Sequence, residues 1–580
     1  MTFQIKTSAL FLVLLLATEI TFAAPYVREA SFRQIFHGTD FLGSGKDLDV
    51  RISTMSSDGK VVAFYGGGSG KPHLFIHDFA SANDPVEVIL PPQIGVFSEN
   101  TGMVSNRDGT RIFFIADDAS DTTYSDFLFC MVNGKTGAVS ILLVARPSNI
   151  EIPLDIATDG NGDWLYFNES DNGDRGDMWR IATSGSIVPQ LVVQAGSVSH
   201  PSGGVGRFAD EMAVSDDGAT ITFFIDGRDP MDGSALVRWD KELWVGDLTA
   251  TLPLSTPTLL TNDNNTGAAD NAKNHLTISG DGSTIVYSGP GSSLMVTKAP
   301  FTLNAHYQIE DGYQNNCNTA GITDDGNRLF SSLHGVNDQS GGYIINSDGS
   351  SRYKIDTGSS YSGVNVNCTS EGVHLSSDGK RLFFKGYSQI ESVGTYVNAM
   401  YTGVLDNNPS DAVSSNLWPS TVPAVTSVSY PAPLSYGIAN PDDFPNFDIT
   451  VGTVTGSQAT AITRADNTIL RANGYLAASN SYVPVWVWPS PSEDSPGIWT
   501  YKGGRGFQWP TSSNYDPLDP VIARFHVKDS DGNVGYRDVI LQAAEGGCSG
   551  SGTQTLSPDD MGAHKDVSCI TDGRVETDGP

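Results

Sequence analysis

Basic residues are scarce in this chain. Against 66 Asp and Glu stand 34 Lys and Arg, a formal net charge of −32 over 580 residues. Such a surface repels phosphate, which argues against nucleic acid and anionic lipid as partners. The acids are spread along the chain rather than gathered in one run, the pattern of a solvated surface. Long apolar runs are scarce as well. After the N-terminal segment nothing is apolar enough for a membrane helix, so no membrane insertion is expected. Cysteine is rare, five residues in all, and no Cys-x-x-Cys or Cys/His cluster has zinc spacing. No Gly-x-Ser-x-Gly elbow exists, so the nucleophile turn of an α/β-hydrolase is missing.

Glycine and proline are plentiful, 62 and 30 residues, and long stretches of helical periodicity are few. That balance favours strands and turns. The length suits two or more domains. The N-terminus, "MTFQIKTSALFLVLLLATEITFAAPYV", has the form of a signal peptide over 1–23. Its apolar part is too short to span a bilayer, and Thr21 and Ala23 precede an expected cut. The mature protein is expected to be secreted or periplasmic, a setting that permits disulfides.

One phrase recurs. "HLSSDGKRLFFKG", centred on Asp378, is a short polar strand, a Ser-Asp-Gly turn and an apolar strand. Related phrases centre on Asp58, Asp108, Asn161, Asp217, Asp281 and Asp325, making seven copies spaced by 50, 53, 56, 64, 44 and 53 residues. Gly accepts positive φ and the Asp carboxylate bonds nearby N–H groups, so each copy predicts a tight antiparallel hairpin. A third strand follows every copy ("HLFIHDF", "DFLFCMV", "ELWVGDL" among them) and a fourth follows six. The N-terminal "ASFRQIF" is expected to supply the missing seventh. These features predict an all-β, seven-bladed β-propeller over 26–415, closed by both ends of its own chain.

The Ser-x-Asp-Gly phrase followed by an apolar strand resembles the WD40-like repeat of TolB-type propellers. The resemblance covers about two thirds of the chain, and the copies here mostly lack the Pro before Asp-Gly. It implies fold far more than function, since such propellers serve as binding scaffolds, as peptidase domains and as polysaccharide lyases.

After about residue 418 the repeat stops. Segments such as "FPNFDITVGTVTG", "VPVWVWPS" and "IARFHVKDSDGNVGYRDVILQ" read as strands, and the last resembles the final hairpin of bacterial Ig-like modules. An Ig-like β-sandwich is expected at 420–543, followed by a polar, poorly ordered tail at 544–580. Trp486 and Trp488 share one strand face, either in the sandwich core or as an exposed strip for stacking a sugar. Cys317 and Cys368 hold similar places in adjacent repeats, and Cys548 and Cys569 bracket part of the tail. Each set is expected to pair as a disulfide. Cys130, in "FLFCMV", reads as a buried, inert thiol.

Candidate sites follow from the architecture. "GGGSGKP" (66–72) has misplaced glycines and Pro where a phosphate loop needs Ser or Thr, and reads as a surface turn. His73 and His77 share a strand face about 13 Å apart, too far to chelate one metal. Asp159, Asn161 and Asp163 have the one-three-five oxygen spacing of a calcium loop, but Ser170 stands at its twelfth place, and the segment is also a blade turn. "DNGDRGD" (171–177) and "DSDGN" (529–533) offer the same choice. No other cofactor is expected. The starts of the inner strands should ring one channel mouth with Arg51, Thr101, Leu154, Asp210, Asn274, Asn318 and Glu371, either a ligand site or a merely solvated channel.

The expected function is therefore a non-catalytic binding or scaffold protein whose propeller mouth holds a glycan, a peptide or a protein partner. The alternative is a polysaccharide lyase acting on uronate polymers. Its chemistry would need a cation to neutralise the carboxylate and a base for the α-proton, for which His200, Arg207, His275 and Tyr313 are of the right types.

Overall fold

The computed structural model describes most of 29–405. Outside the description there lie 38–48, 69–70, 80–84, 98–101, 121–126, 146–152, 170–175, 186–187, 202–204, 229–240, 263–273, 290–292, 311–319, 334–340, 350–351, 355–364, 367–372 and 391–394, and beyond 405 ten strands alone are described. Some strand residues are described by backbone only. Among the described residues no helix is long and apolar enough to cross a membrane.

Seven antiparallel sheets form the blades of a β-propeller. Blade 1 runs outward from the channel as Asp49–Met55, Val61–Gly68, Lys71–Asp78 and Val86–Glu87. The inner strands of blades 2 to 7 are Met103–Ser105, Pro153–Thr158, Val205–Val214, Asn274–Ile278, Ala320–Ile322 and Val373–Leu375. Blade 7 continues through Arg381–Ile390 and Thr395–Leu405, and its outermost strand is the N-terminal Glu29–His37. The expected closure is present: Phe32 pairs Gly403 and Gln34 pairs Tyr401. Edge pairing continues further, because the other side of the N-terminal strand pairs with Val534–Gln542 (Phe32 opposite Val534, Glu29 opposite Arg537). Both edges of the closing strand are thus satisfied.

The seven turns explain the repeated phrase. In blade 1 the Ser56 hydroxyl donates to Asp58 Oδ1 at 2.8 Å and accepts the Val61 N–H at 3.0 Å, while Asp58 Oδ1 accepts the Lys60 N–H at 3.0 Å. Ser215, Ser279, Thr323 and Ser376 do the same in blades 4 to 7, and Asn106 substitutes in blade 2. Glycine follows for two reasons. Gly109 has φ of +69°, and a Cβ there would lie 2.4 Å from Val61 Cβ of the preceding blade. Each turn is thus shaped to receive a side chain from its neighbour.

At Gly218 that side chain is Asp159, and in the other six turns it comes from the residue three places after the preceding blade's turn centre. Where it is arginine, the guanidinium reaches the next turn's backbone: Arg111 donates to Gly162 O at 2.8 Å, and Arg381 donates to Asp58 O at 2.6 Å across the closing seam. Main-chain bonds join the turns as well, from Ser377 N–H to Ser57 O (2.6 Å), Asp58 N–H to Arg107 O (2.9 Å), Arg107 N–H to Gly160 O (2.8 Å) and Gly160 N–H to Asp216 O (2.9 Å).

Apolar cores lie between blades. The seam of blades 7 and 1 buries Phe36 from the N-terminal strand against Phe64 and Phe75, with ring centroids 5.0 and 5.2 Å apart. Another core, between blades 1 and 2, includes Cys130, whose burial pushes its thiol up to about 12, the inert thiol expected.

Beyond the propeller, Ser481–Val487, Ile469–Ala478, Val521–Lys528 and Val534–Gln542 form one run of paired strands continuous with blade 7. Pro423–Ser429, Phe447–Thr453, Ile498–Tyr501 and Ser492–Ser495 form a second sheet, and its Pro423–Ser429 strand lies against the hairpin 521–542. In the tail, Val567–Thr571 pairs with Arg574–Thr577. Trp488, Cys317, Cys368 and Cys548 lie outside the described residues, as do the side chains of Trp486 and Cys569.

Candidate functional site

The inner strands of all seven blades surround one cavity of about 630 Å³. Its wall runs from Ile52–Met55 of blade 1 around to Val373–Leu375 of blade 7, and turn residues Ser57, Asp216, Gly280, Asp324 and Ser377 line its floor.

At the mouth the inner strands slip register. Slips fall between Val50 and Ile52, Pro153 and Ile156, Gly206 and Phe208, Asp210 and Met212, and Asn274 and Thr277. An extra residue in one strand bends it and re-aims a side chain. Arg51, Arg207 and His275, singled out by sequence, are residues passed over at these slips. Asp210 and Asn274 flank two of them. Of these five the backbone alone is described, and Thr101, Asn318, Glu371 and Tyr313 lie outside the described residues.

Other residues stand beside them, of which sequence reasoning missed Asp155, Ser53 and His374. Glu211 is passed over in blade 4, has φ of +33° and lines the cavity. Its Oε1 lies 3.9 Å from Lys241 Nζ. Asp155 lines the cavity from blade 3, and its carboxylate accepts the N–H of Ile156 at 2.8 Å and of Met212 at 2.7 Å, tying blades 3 and 4 together. Ser53 and His374 line the wall at the closing seam, with Ser53 Oγ 2.9 Å from His374 Nε2.

The floor is crossed by side chains. Arg107 of blade 2 bonds Asp324 of blade 6, and Ser57 of blade 1 donates to Asp216 Oδ1 of blade 4 at 3.4 Å. Both pairs join blades three steps apart, the widest separation in a ring of seven, so they span the axis. Burial, then the Asp324 charge, raises the Asp216 carboxyl above its ordinary value against the pull of Arg107 and Ser57. Asp216 Oδ2 is buried and, among the described residues, has no hydrogen-bond partner. Burial also raises Asp324, with Arg107 opposing.

The lining is therefore acidic. Asp155, Glu211, Asp216 and Asp324 face the cavity, and among the described lining residues there is no Lys or Arg. Among the described residues no group of three His, Cys, Asp or Glu is placed to hold a metal ion. In the segment weighed as a calcium loop, Asp159 Oδ1 accepts the N–H of Asp163 at 2.8 Å and of Trp164 at 3.3 Å, Asp163 pairs with Arg111 at 3.0 Å, and Asn161 is exposed. That is turn bonding. His200 is buried with its ring edge-on to Trp244, centroids 6.4 Å apart, and is not among the lining residues. His73 bonds Glu87 at 2.6 Å on the outer side of blade 1, and His77 is buried against Phe79. Gly67 and Gly68 pair with Pro72 and Lys71 in a hairpin, not a phosphate loop.

No protein-family model matches the chain, and no curated protein matches it. Solved structures do. Oligogalacturonate lyase from Vibrio parahaemolyticus aligns at 13% identity over 66% of this chain and 98% of its own, with a TM-score of 0.39. The β-propeller domain of the trilobed protease from Pyrococcus furiosus aligns at 12% over 62% and 93%, with a TM-score of 0.40. TolB from Acinetobacter baumannii aligns at 13% over 59% and 66%, with a TM-score of 0.30. At these identities and scores the likenesses carry no argument about chemistry, and the propeller rests on its own strand pairing.

Proposed function

We propose that this protein is an exported binding protein whose propeller channel is a blind chamber, open at the mouth and crossed at the floor, for a ligand that presents a positive charge. The observation that carries the reading is the lining: four acidic side chains, of which Asp324 is paired with Arg107 and Glu211 stands 3.9 Å from Lys241, and no Lys or Arg among the described lining residues. A basic peptide or an amine-bearing glycan fits that field, while a uronate polymer meets like charge in a partly desolvated space. The acidic wall thus weighs against the lyase alternative. The C-terminal sheets, read as an Ig-like module, brace the closing strand in this account rather than form the ligand site.

Calorimetric titration of the full chain with tri-lysine, cellotriose and trigalacturonate tests it. Tri-lysine is expected to bind most tightly and trigalacturonate least. Glu211→Gln should weaken tri-lysine about fivefold, the equivalent of about 1 kcal/mol. Glu87→Gln, an exposed acid on the outer strand of blade 1, should not. Tightest binding by trigalacturonate, or equal loss in both variants, overturns the reading.

A further inference from the structure

The wall of the chamber carries a pair of groups that binding alone does not need. Ser53 Oγ and His374 Nε2 stand 2.9 Å apart, and both residues line the cavity. Ser53 is 5% exposed, so its hydroxyl is shielded from bulk water. Behind the imidazole, Phe383 stacks with ring centroids 5.8 Å apart and planes inclined by 20°. The stack fixes the ring plane. The two residues come from the first and last blades and meet because the ring closes. A hydroxyl within hydrogen-bond reach of an oriented imidazole, on the wall of a chamber large enough for a small molecule, is the core of a nucleophile–base arrangement.

We propose that Ser53 and His374 cleave a carboxylic ester that carries a positive charge. His374 Nε2 takes the Oγ proton as Ser53 Oγ bonds to the carbonyl carbon. The carbon–oxygen bond to the alcohol breaks, and the proton passes from His374 to the departing alcohol. Water then attacks the acyl-serine, giving its proton to His374, and the proton returns to Oγ as the acid leaves. Ester and water become acid and alcohol, with no oxidant or metal required. The charge preference rests on the acidic lining, and so on the binding reading above. The nucleophile–base pair rests on its own geometry.

Diisopropyl fluorophosphate is the probe. Reaction forms an oxygen–phosphorus bond at Ser53, breaks phosphorus–fluorine, and releases fluoride with the proton that His374 took up. The full chain should gain one diisopropylphosphoryl group, found by peptide mass spectrometry on the segment containing Ser53. S53A should abolish the adduct, and H374Q should slow its formation about 100-fold or more, the usual contribution of a general base. No adduct, an adduct elsewhere, or equal rates in H374Q overturns the pair. Should H374Q fail to fold, the wild-type profile decides. The labelling rate should rise with pH through one ionisation and level off, and a rate proportional to hydroxide throughout overturns the proposal. Charge preference is read separately, from the hydrolysis of 4-nitrophenyl 6-aminohexanoate and of 4-nitrophenyl hexanoate. The amine-bearing ester is expected to have a kcat/KM about tenfold higher. Equal values would overturn the charge preference and the binding reading behind it, while a Ser53 adduct dependent on His374 would still stand.

Discussion

At the floor of the channel, seven turns of one design hold one another through main-chain bonds and neighbouring side chains. At the mouth the inner strands slip register at differing places, and each slip passes over different residues. The floor is built for closure: positive-φ glycines, caps at fixed spacing, and guanidinium groups reaching the next turn. The mouth is built for variety, since a bulge changes which side chain faces the channel without unpairing the strands that follow. One end holds the blades together by a repeated design, and the other varies from blade to blade.

Substitutions can separate those two jobs. The largest effect is expected at Gly109. Gly109→Ala meets both a left-handed backbone and Val61 at 2.4 Å, and should cost about 3 kcal/mol in urea unfolding. A loss below about 1 kcal/mol would mean that the turns do not lock the blades. Next is Arg381→Ala at the closing seam, which removes a charged donor from the Asp58 carbonyl and should cost about 2 kcal/mol. Hydrogen exchange at the Ser377 amide, which bonds Ser57 O, should speed up with it.

The mouth should respond in the opposite sense. Glu211→Gly exchanges a strained backbone for greater freedom in the unfolded chain, so stability should shift by less than about 0.5 kcal/mol. Tri-lysine affinity should nonetheless fall, as measured by titration. The smallest effect is one of pH. Because the Asp216 carboxyl is raised in the folded state, the native protein holds that proton more tightly than the unfolded chain. The wild-type chain therefore loses stability as pH rises from the ordinary aspartate range through the native titration. Asp216→Asn should be the more stable protein at neutral pH, and thermal unfolding should show the advantage vanish in acid.

Much of the floor was legible in the sequence because its signals are local. Asp-Gly or Asn-Gly with a capping side chain two places before it (Ser, Thr, Asn or Asp) and an apolar strand after it fixes a hairpin, and seven repeats fix a ring. Even the closing strand could be placed, because one blade was a strand short. Residues that meet across the axis or the seam were not legible. Arg107 and Asp324 are 217 residues apart, and Ser53 and His374 are 321 apart. Their contacts depend on which blades face each other, and no local pattern encodes that. The mouth was half legible. Counting back from the turn found Arg51 and Asn274 beside slips, but it gave Leu154 in blade 3, where the adjoining Asp155 lines the cavity, and Asp210 in blade 4, where the adjoining Glu211 does. His200 was chosen for its residue type, and packing placed it against Trp244.

The central claim is that the channel, and not the outer faces of the blades, holds the ligand. Hydrogen exchange of the full chain with and without saturating tri-lysine tests it most directly. The account predicts slower exchange in the inner strands, from Ile52–Met55 around to Val373–Leu375, with the outer strands unchanged. Protection confined to outer strands such as Val86–Glu87 or His306–Glu310 would contradict it.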